Sequence, residues 1–366
     1  MKEEPMRPNE VYTNRDTLYI KTKFVGTLLL LLQILNIFGG ALYAYASVLP
    51  VDNVISSAAS LDPVANKSDR LKSRGVSGVD QSSGAYTYGY TLNIPEGRNG
   101  ISPKLNLAYN SQNTESSLVG YGWMFGLQYI ERTGKAGTDN VYTVPNFVSS
   151  LHGELNSKDG ISFEQKIDDG SFPKYTFNNT SWQMTDRDGN TYYFGETPSS
   201  RIQSEDAQKV GRWYMTQVRD KFGNGMTYTY SKNQGNVYPE SILYTEHALS
   251  HPINLVTFNL ENKSDQNTSY KYGFKVVDSK RISYIKVSTN GKDVIYFSFQ
   301  YGTGSNGVRT LLKSVEEKRL GSNGDWTVLP KTSFEYEKSS TQFLGSVSGS
   351  ISDPYSGQIV IRPVRK

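Results

Sequence analysis

WQMTDRDGNTYYFG (Trp182–Gly195) and WYMTQVRDKFGNGMTYTY (Trp213–Tyr230) share one plan: an apolar strand opening on Trp, a polar turn containing Gly, and a strand rich in Tyr. Apolar and polar side chains alternate on both flanks, the period-two pattern of a half-buried strand. RISYIKV (Arg281–Val287), leading through Gly291 to YFSFQY (Tyr296–Tyr301), keeps the hairpin without the Trp. A fourth copy runs from LLKSV (Leu311–Val315) through Asn323-Gly324 to FEY (Phe334–Tyr336). One hairpin cannot bury its own aromatic face, so such units must stack side by side.

The same texture begins at Gly84, with YTYGY (Tyr86–Tyr90) and KLNLAY (Lys104–Tyr109). Eight dipeptides punctuate it: Asn99-Gly100, Asp159-Gly160, Asp169-Gly170, Asp188-Gly189, Asn224-Gly225, Asn290-Gly291, Asn306-Gly307 and Asn323-Gly324. Each is expected to make a two-residue type I′ hairpin turn, where both central residues take positive φ. The expected fold is all-β: stacked antiparallel hairpins forming a large curled sheet. Only SEDAQKV (Ser204–Val210) reads as locally helical.

Composition agrees, with 26 Tyr and 33 Gly among 366 residues. A net charge of +4 without a basic block excludes the basic stripe of a nucleic-acid binder. There is no Cys, so no disulfide can staple the fold.

Lys21 and Lys23 precede an apolar run from Phe24 to Leu42, and Ala44-Tyr45-Ala46 follows as a small-x-small cleavage site. This order predicts export, with residues 1–46 as a helical signal peptide or signal anchor. Residues 24–46 are long enough to span a bilayer if uncleaved, and membrane contact is expected only through them. Residues 47–82 are Ser/Ala/Asp-rich and read as a flexible linker. Residues 83–340 read as the β-rich domain, and 341–366 as a truncated tail. The stretch KSSTQFLGSVSGSISD (338–353) offers little to cover a strand edge near Phe334–Tyr336. That edge predicts self-association or a second polypeptide.

The stretch GAYTYGYTLNIPEGRNGISP (Gly84–Pro103), followed by LNLAYNSQ (Leu105–Gln112), LVGYGW (Leu118–Trp123) and IER (Ile130–Arg132), resembles the opening of the SpvB-type domain. That family is named for a Salmonella virulence-plasmid protein and shared by the B component of Tc insecticidal toxins. The hairpin unit resembles the YD repeat of RHS proteins, whose hairpins spiral into a hollow shell. The resemblance carries over Gly84, Pro95, Gly97, Arg98, Asn99, Gly100, Pro103, Tyr109, Asn110, Ser111, Gly120, Gly122, Trp123 and Arg132 as architectural residues. It implies an exported, non-catalytic wall segment of a virulence-associated, toxin-enclosing or toxin-delivering shell. The partner it implies is the remaining shell portion or a toxin polypeptide. A β-propeller would follow in the family, yet Asp353-Pro354-Tyr355-Ser356-Gly357 is not its Asp-rich repeat, so a truncated, split or free-standing module all remain open.

Chemistry finds little foothold. Glu335-Tyr336-Glu337 has the spacing of an ADP-ribosyltransferase pair, but no Ser-Thr-Ser strand precedes it. His247 and His251 are four apart, but Pro252 argues against a helix that would bring them together over zinc, and His152 is remote. Asp168-Asp169-Gly170 and Asp186–Asn190 are fragments of calcium loops, more simply read as turns. No Gly-x-Ser-x-Gly elbow occurs. No catalytic residue, metal or cofactor is expected. The alternative is an exported surface carbohydrate- or protein-binding β module, marked by a solvent-exposed cluster of Tyr and Trp.

Overall fold

A computed structural model describes residues 75–135, 137–247, 252–304 and 307–336, with the backbone of 361–364. The expected signal or anchor, Ala44 and Ala46 included, lies outside the described residues. No helix among those described is long and apolar enough to cross a membrane.

The chain enters as β1 (Gly75–Val79), β2 (Tyr86–Thr91) and β3 (Asn106–Asn110), then a small hairpin of β4 (Ser116–Ser117) and β5 (Gly120–Tyr121), then β6 (Trp123–Phe125). β1, β2, β3 and β6 form one antiparallel sheet. The segment read as linker thus contains a strand, Gly75–Val79, which pairs with Tyr86–Tyr90 of β2.

Next come β7 (Tyr129–Arg132), β8 (Phe147–Ser149), β9 (Gly153–Ser157), β10 (Ser162–Gln165), β11 (Lys174–Phe177), β12 (Trp182–Thr185), β13 (Thr191–Phe194), β14 (Arg201–Gln203) and β15 (Val210–Arg219). Pairing runs from β7 in order to β13, from β13 to β15, and from β15 back to β7, closing a ring of 8 strands. Closure departs from the expected open curled sheet. Short strands twist strongly, and eight of them enclose a space that side chains alone can fill. Here it is filled by rings: Trp182 stacks on Phe177 at 4.5 Å and meets Phe147 at 4.8 Å, Phe163 at 5.0 Å and Trp213 at 6.1 Å.

The hairpins then lengthen: β16 (Gly225–Asn233), β17 (Asn236–Glu246), β18 (Asn254–Ser269), β19 (Val276–Thr289), β20 (Lys292–Thr303), β21 (Thr310–Leu320), β22 (Trp326–Val328), β23 (Thr332–Tyr336) and β24 (Ile361–Val364). β16 to β21 pair in sequence order, as stacked hairpins should. β15 belongs to both parts: Arg212–Tyr214 pair with β7 in the ring, and Gln217–Arg219 pair with β16. The N-terminal sheet lies on one face of this outer sheet, with Trp123 against Phe334 at 4.8 Å and Phe125 against Phe258 at 5.7 Å. One hydrophobic core runs through all three parts.

Most of the turns are longer than expected. A two-residue turn with both φ positive occurs at Asn290-Gly291, and another at Gln234-Gly235, which the turn dipeptides did not include. Asn99-Gly100 has both angles positive but sits in a 3-10 turn, not a hairpin. Gly225 is not left-handed at all; it opens β16, and Gly223 takes the positive φ. The cause is the Asp that starts these loops. Asp186 Oδ1 accepts the amides of Asp188 and Asn190, and Asp220 Oδ1 those of Phe222 and Asn224, spreading each turn over five residues. Ser204–Val210 likewise is no helix but the β14–β15 turn, closed by Ser204 N–H to the Lys209 carbonyl.

The edge at Phe334–Tyr336 is not bare. Residues 361–364 return and pair with β23, Phe334 opposite Pro363 and Tyr336 opposite Ile361. The tail itself supplies the covering strand that the composition of 338–353 did not suggest.

Candidate functional site

The motif residues lie along the join between the N-terminal sheet and the repeats. Gly84 turns the chain from β1 into β2 at φ 70°. Asn110 Oδ1 accepts the Gln112 amide, and Ser111 Oγ accepts that of Tyr86, fixing the exit from β3. The carbonyl of Pro95 accepts the hydroxyl of Tyr244 at 2.9 Å, and Pro103 is buried. Gly97 lies so close to the Ile101 carbonyl that no side chain fits. Arg98, Asn99 and Gly100 make the 3-10 turn, and Asn99 Nδ2 donates to Asp220 Oδ2 at 2.9 Å, tying this turn to the repeat turn.

Gly120 carries φ 99°, and a Cβ there would stand 3.0 Å from the Thr310 carbonyl. A Cβ on Gly122 (φ 78°) would stand 2.6 Å from the Tyr109 ring. The space goes to Trp123, fully buried at 0% exposure, whose Nε1 donates to Tyr336 Oη at 2.8 Å. Arg132 on β7 lies over the Phe147 ring at 4.7 Å and donates to the Val210 carbonyl. Gly122→Ala combines left-handed strain with a clash, so it is expected to cost more than the strain alone, above about 2 kcal/mol. Gly100→Ala, at φ 77° with open space around it, should show the backbone strain of about 1–2 kcal/mol alone. Thermal melts of the two variants side by side check the difference.

The two matched turns, Asp186–Asn190 and Asp220–Asn224, flank a cleft of about 480 Å³ lined by Asn99, Asp188, Asn190, Tyr192, Asp220 and Phe222. Burial pushes the Asp220 pKa up, but hydrogen bonds from the Asn224 and Asn99 side chains and from the Asn224 and Phe222 amides outweigh it and hold it below its ordinary value. Asn190 Nδ2 and the turn amides satisfy Asp186 in the same way. Their oxygens are already engaged in making the turns. Asp168 and Asp169 do the same at Gly170 and Ser171. No group of three or more His, Cys, Asp or Glu placed to hold a metal occurs among the described residues.

His152 Nδ1 meets Tyr175 Oη at 2.5 Å, and burial pushes its pKa down. His251 lies outside the described residues, so its relation to His247 is not described. Glu335 is exposed on β23 opposite Arg362, and Glu337 lies outside the described residues.

A cluster the motifs did not signal centres on Glu131, beside Arg132. Its carboxylate, 5% exposed, takes Arg212 at 2.6 Å, Lys271 at 3.1 Å and the Tyr272 hydroxyl at 2.6 Å. Arg212 in turn lies over the Tyr129 ring at 4.2 Å. Burial pushes the Glu131 pKa up, but the charges of Arg212 and Lys271 and the donated hydrogen bonds outweigh it, leaving about 2. Glu131 and Tyr272 stand 141 residues apart in sequence. Only the odd polar residue in the apolar flank Tyr129–Ile130 hinted at it.

Of the four tryptophans, Trp123, Trp182 and Trp213 are buried, while Trp326 is 42% exposed. It lies 5.3 Å from Tyr296, which lies 6.0 Å from Tyr284.

These features describe an all-β body whose motif residues join the N-terminal sheet to the repeat hairpins. Residues 80–169 and 172–248 match the family described as Salmonella virulence plasmid 65kDa B protein, and the chain carries an SpvB family domain. The fold is shared with the crystal structure of TcdB2-TccC3 (16% identity, TM-score 0.61, covering 72% of this chain and 17% of that one). It is shared with the Tc holotoxin pore of Photorhabdus luminescens (17%, 0.60, 69% and 16%). The N-terminal domain of effector protein SpvB from Salmonella typhimurium strain LT2 matches at 14% identity and TM-score 0.54, covering 63% of this chain and 99% of that domain. No curated protein matches the chain in sequence.

Proposed function

We propose that this chain is an exported structural segment of a toxin-associated shell, non-catalytic in itself, that works by joining a further polypeptide carrying the rest of the wall or the toxin. The observation that carries this reading is the join itself: the motif residues of the SpvB domain are spent on locking the N-terminal sheet to the repeat hairpins. An enzyme would be expected to hold some polar groups unpaired and convergent at a cleft. Asp220, which lines the cleft, is engaged in its own loop and by Asn99. Among the described strands the outer sheet reaches β24, the place where a continuing wall would attach. Export rests on the Lys21–Ala46 segment, and secreted protein should begin at Ser47.

The test is association. The purified chain is mixed with the polypeptide encoded directly downstream and run by size exclusion across a dilution series. Co-elution, lost when residues 338–366 are removed, is the expected result. A sharp monomer in every mixture would overturn the reading. Catalysis is checked separately: the Glu335→Gln, Glu337→Gln double variant should match the parent in every assay, and transfer of ADP-ribose from NAD, lost in that variant, would overturn the non-enzyme assignment.

A second reading is favoured by the row Tyr284, Tyr296 and Trp326. Rings on a solvent face, with Asp293 hydrogen-bonded beside them, suit sugar stacking. Binding to a glycan array that disappears in Trp326→Ala would select the surface-binding module instead.

A further inference from the structure

Lys263 is the most deeply buried cation described, its side chain 0% exposed. It stands where β18 leaves the register of β19: Asn262 pairs with Lys280 and Asn267 with Asp278, so four residues bulge against one. The lysine crosses this gap and its Nζ meets Oδ2 of Asp278. Taking an ammonium wholly out of water is costly, and the arrangement around this one contains more than an ion pair needs.

The other oxygen of the same carboxyl, Oδ1, faces two donors, Tyr238 Oη at 3.4 Å and Asn236 Nδ2 at 3.5 Å. On the far side of Nζ stands a relay. Nζ donates to Ser116 Oγ at 3.2 Å, and Ser116 Oγ donates to Oδ2 of a second carboxylate, Asp265, at 3.2 Å. Asp265 is held in place by the amide and hydroxyl of Thr310. An amine, a carboxyl group whose Oδ1 faces hydrogen-bond donors, and a relay to a second carboxylate are the parts needed to make an amide.

We propose that Lys263 and Asp278 condense into an intramolecular isopeptide bond that covalently ties β18 to β19. A proton passes from the ammonium to the Asp278 carboxylate, giving amine and carboxylic acid; burial raises the Asp278 pKa and favours that form. The Nζ lone pair attacks Cγ, and the charge that develops on Oδ1 is met by Tyr238 and Asn236. The proton shed by nitrogen travels through Ser116 to Asp265 and returns to Oδ2, which leaves as water. One C–N bond forms, one C–O bond breaks, and no oxidant or co-reactant is required. The bond would close the loop 263–278 in a chain that has no cysteine for a disulfide.

Peptide mapping of the folded full-length chain by mass spectrometry reads this directly. The expected result is a branched tryptic fragment joining the Lys263 peptide to the Asp278 peptide, lighter by one water than the two together. Asp278→Asn should give the same branched product with loss of ammonia, and Lys263→Arg should give only linear peptides. If the Arg variant does not fold, the parent and the Asn variant still decide. Linear, unmodified Lys263 and Asp278 peptides from folded parent protein would overturn the proposal. So would a water loss confined to a single peptide, the mark of a succinimide.

Discussion

Trp123→Ala is expected to leave little folded protein. Truncating a buried aromatic costs about 3–5 kcal/mol, against a total stability of about 5–15 kcal/mol for a domain. The ring lies 4.8 Å from Phe334, 5.3 Å from Tyr109 and 6.2 Å from Tyr88, so its loss opens a void between the two sheets. The loss also reaches the chain's far end. Trp123 Nε1 donates to Tyr336 Oη, which donates to the Leu312 carbonyl, and Tyr336 lies on the strand that β24 covers. Chemical denaturation should show a collapsed midpoint in the Ala variant, whereas Trp123→Phe should retain most of the packing and lose the hydrogen bond. An unchanged melting temperature in Trp123→Ala would mean that the ring is not buried.

Glu131→Gln should be comparably severe for an electrostatic reason. Removing one partner of a buried ion pair typically costs about 3–5 kcal/mol, because the other charge stays buried and unpaired. Here Arg212 would be left over Tyr129 without its counter-charge, and one of the two oxygens shared by Arg212, Lys271 and Tyr272 would become an NH2 donor. The pH dependence follows from the lowered pKa. The unfolded carboxyl titrates near its ordinary 4.5 and the folded one near about 2. Glu131 therefore contributes stability that is fully present above about pH 4.5 and is lost as pH falls through about 2. Melting temperatures from pH 6 down to pH 2 (about the range linkage requires) should slope in the parent, and in Glu131→Gln this component of the slope should vanish.

The hairpin units were legible because their information is local. Trp182–Gly195 and Trp213–Tyr230 carry alternation, a turn and a partner strand within eighteen residues or fewer, and both fold as read. Their turns were misjudged because a dipeptide carries no sign of the preceding side chain. Asp220 recruits the amides of Phe222 and Asn224 and moves the left-handed position from Gly225 to Gly223. Closure of the ring was not legible, since it depends on β7 meeting β15 across 81 residues, as at Glu131 and Arg212. The architectural motif could be recognised, yet why it needs its glycines could not. The reason at Gly120 is the Thr310 carbonyl, supplied by a strand far along the chain. Glu131 lay inside the quoted Ile130–Arg132 motif as its one acidic residue, yet its role was not legible, because its three partners come from β15 and from the turn after β18.

Strand β15 lies in the ring along its length, and Gln217–Arg219 also carry the outer sheet through β16, which decides how the molecule comes apart. Neither part can lose that strand and keep its hydrogen bonds, so the two parts are expected to melt in one transition. A protease cut between Val210 and Arg219 should release no stable half. Chain termination before Gly225 would leave Gln217–Arg219 paired with β13 but bare on the side that β16 covers. Native-state hydrogen exchange should accordingly find the amides of β15 opening only with the whole molecule.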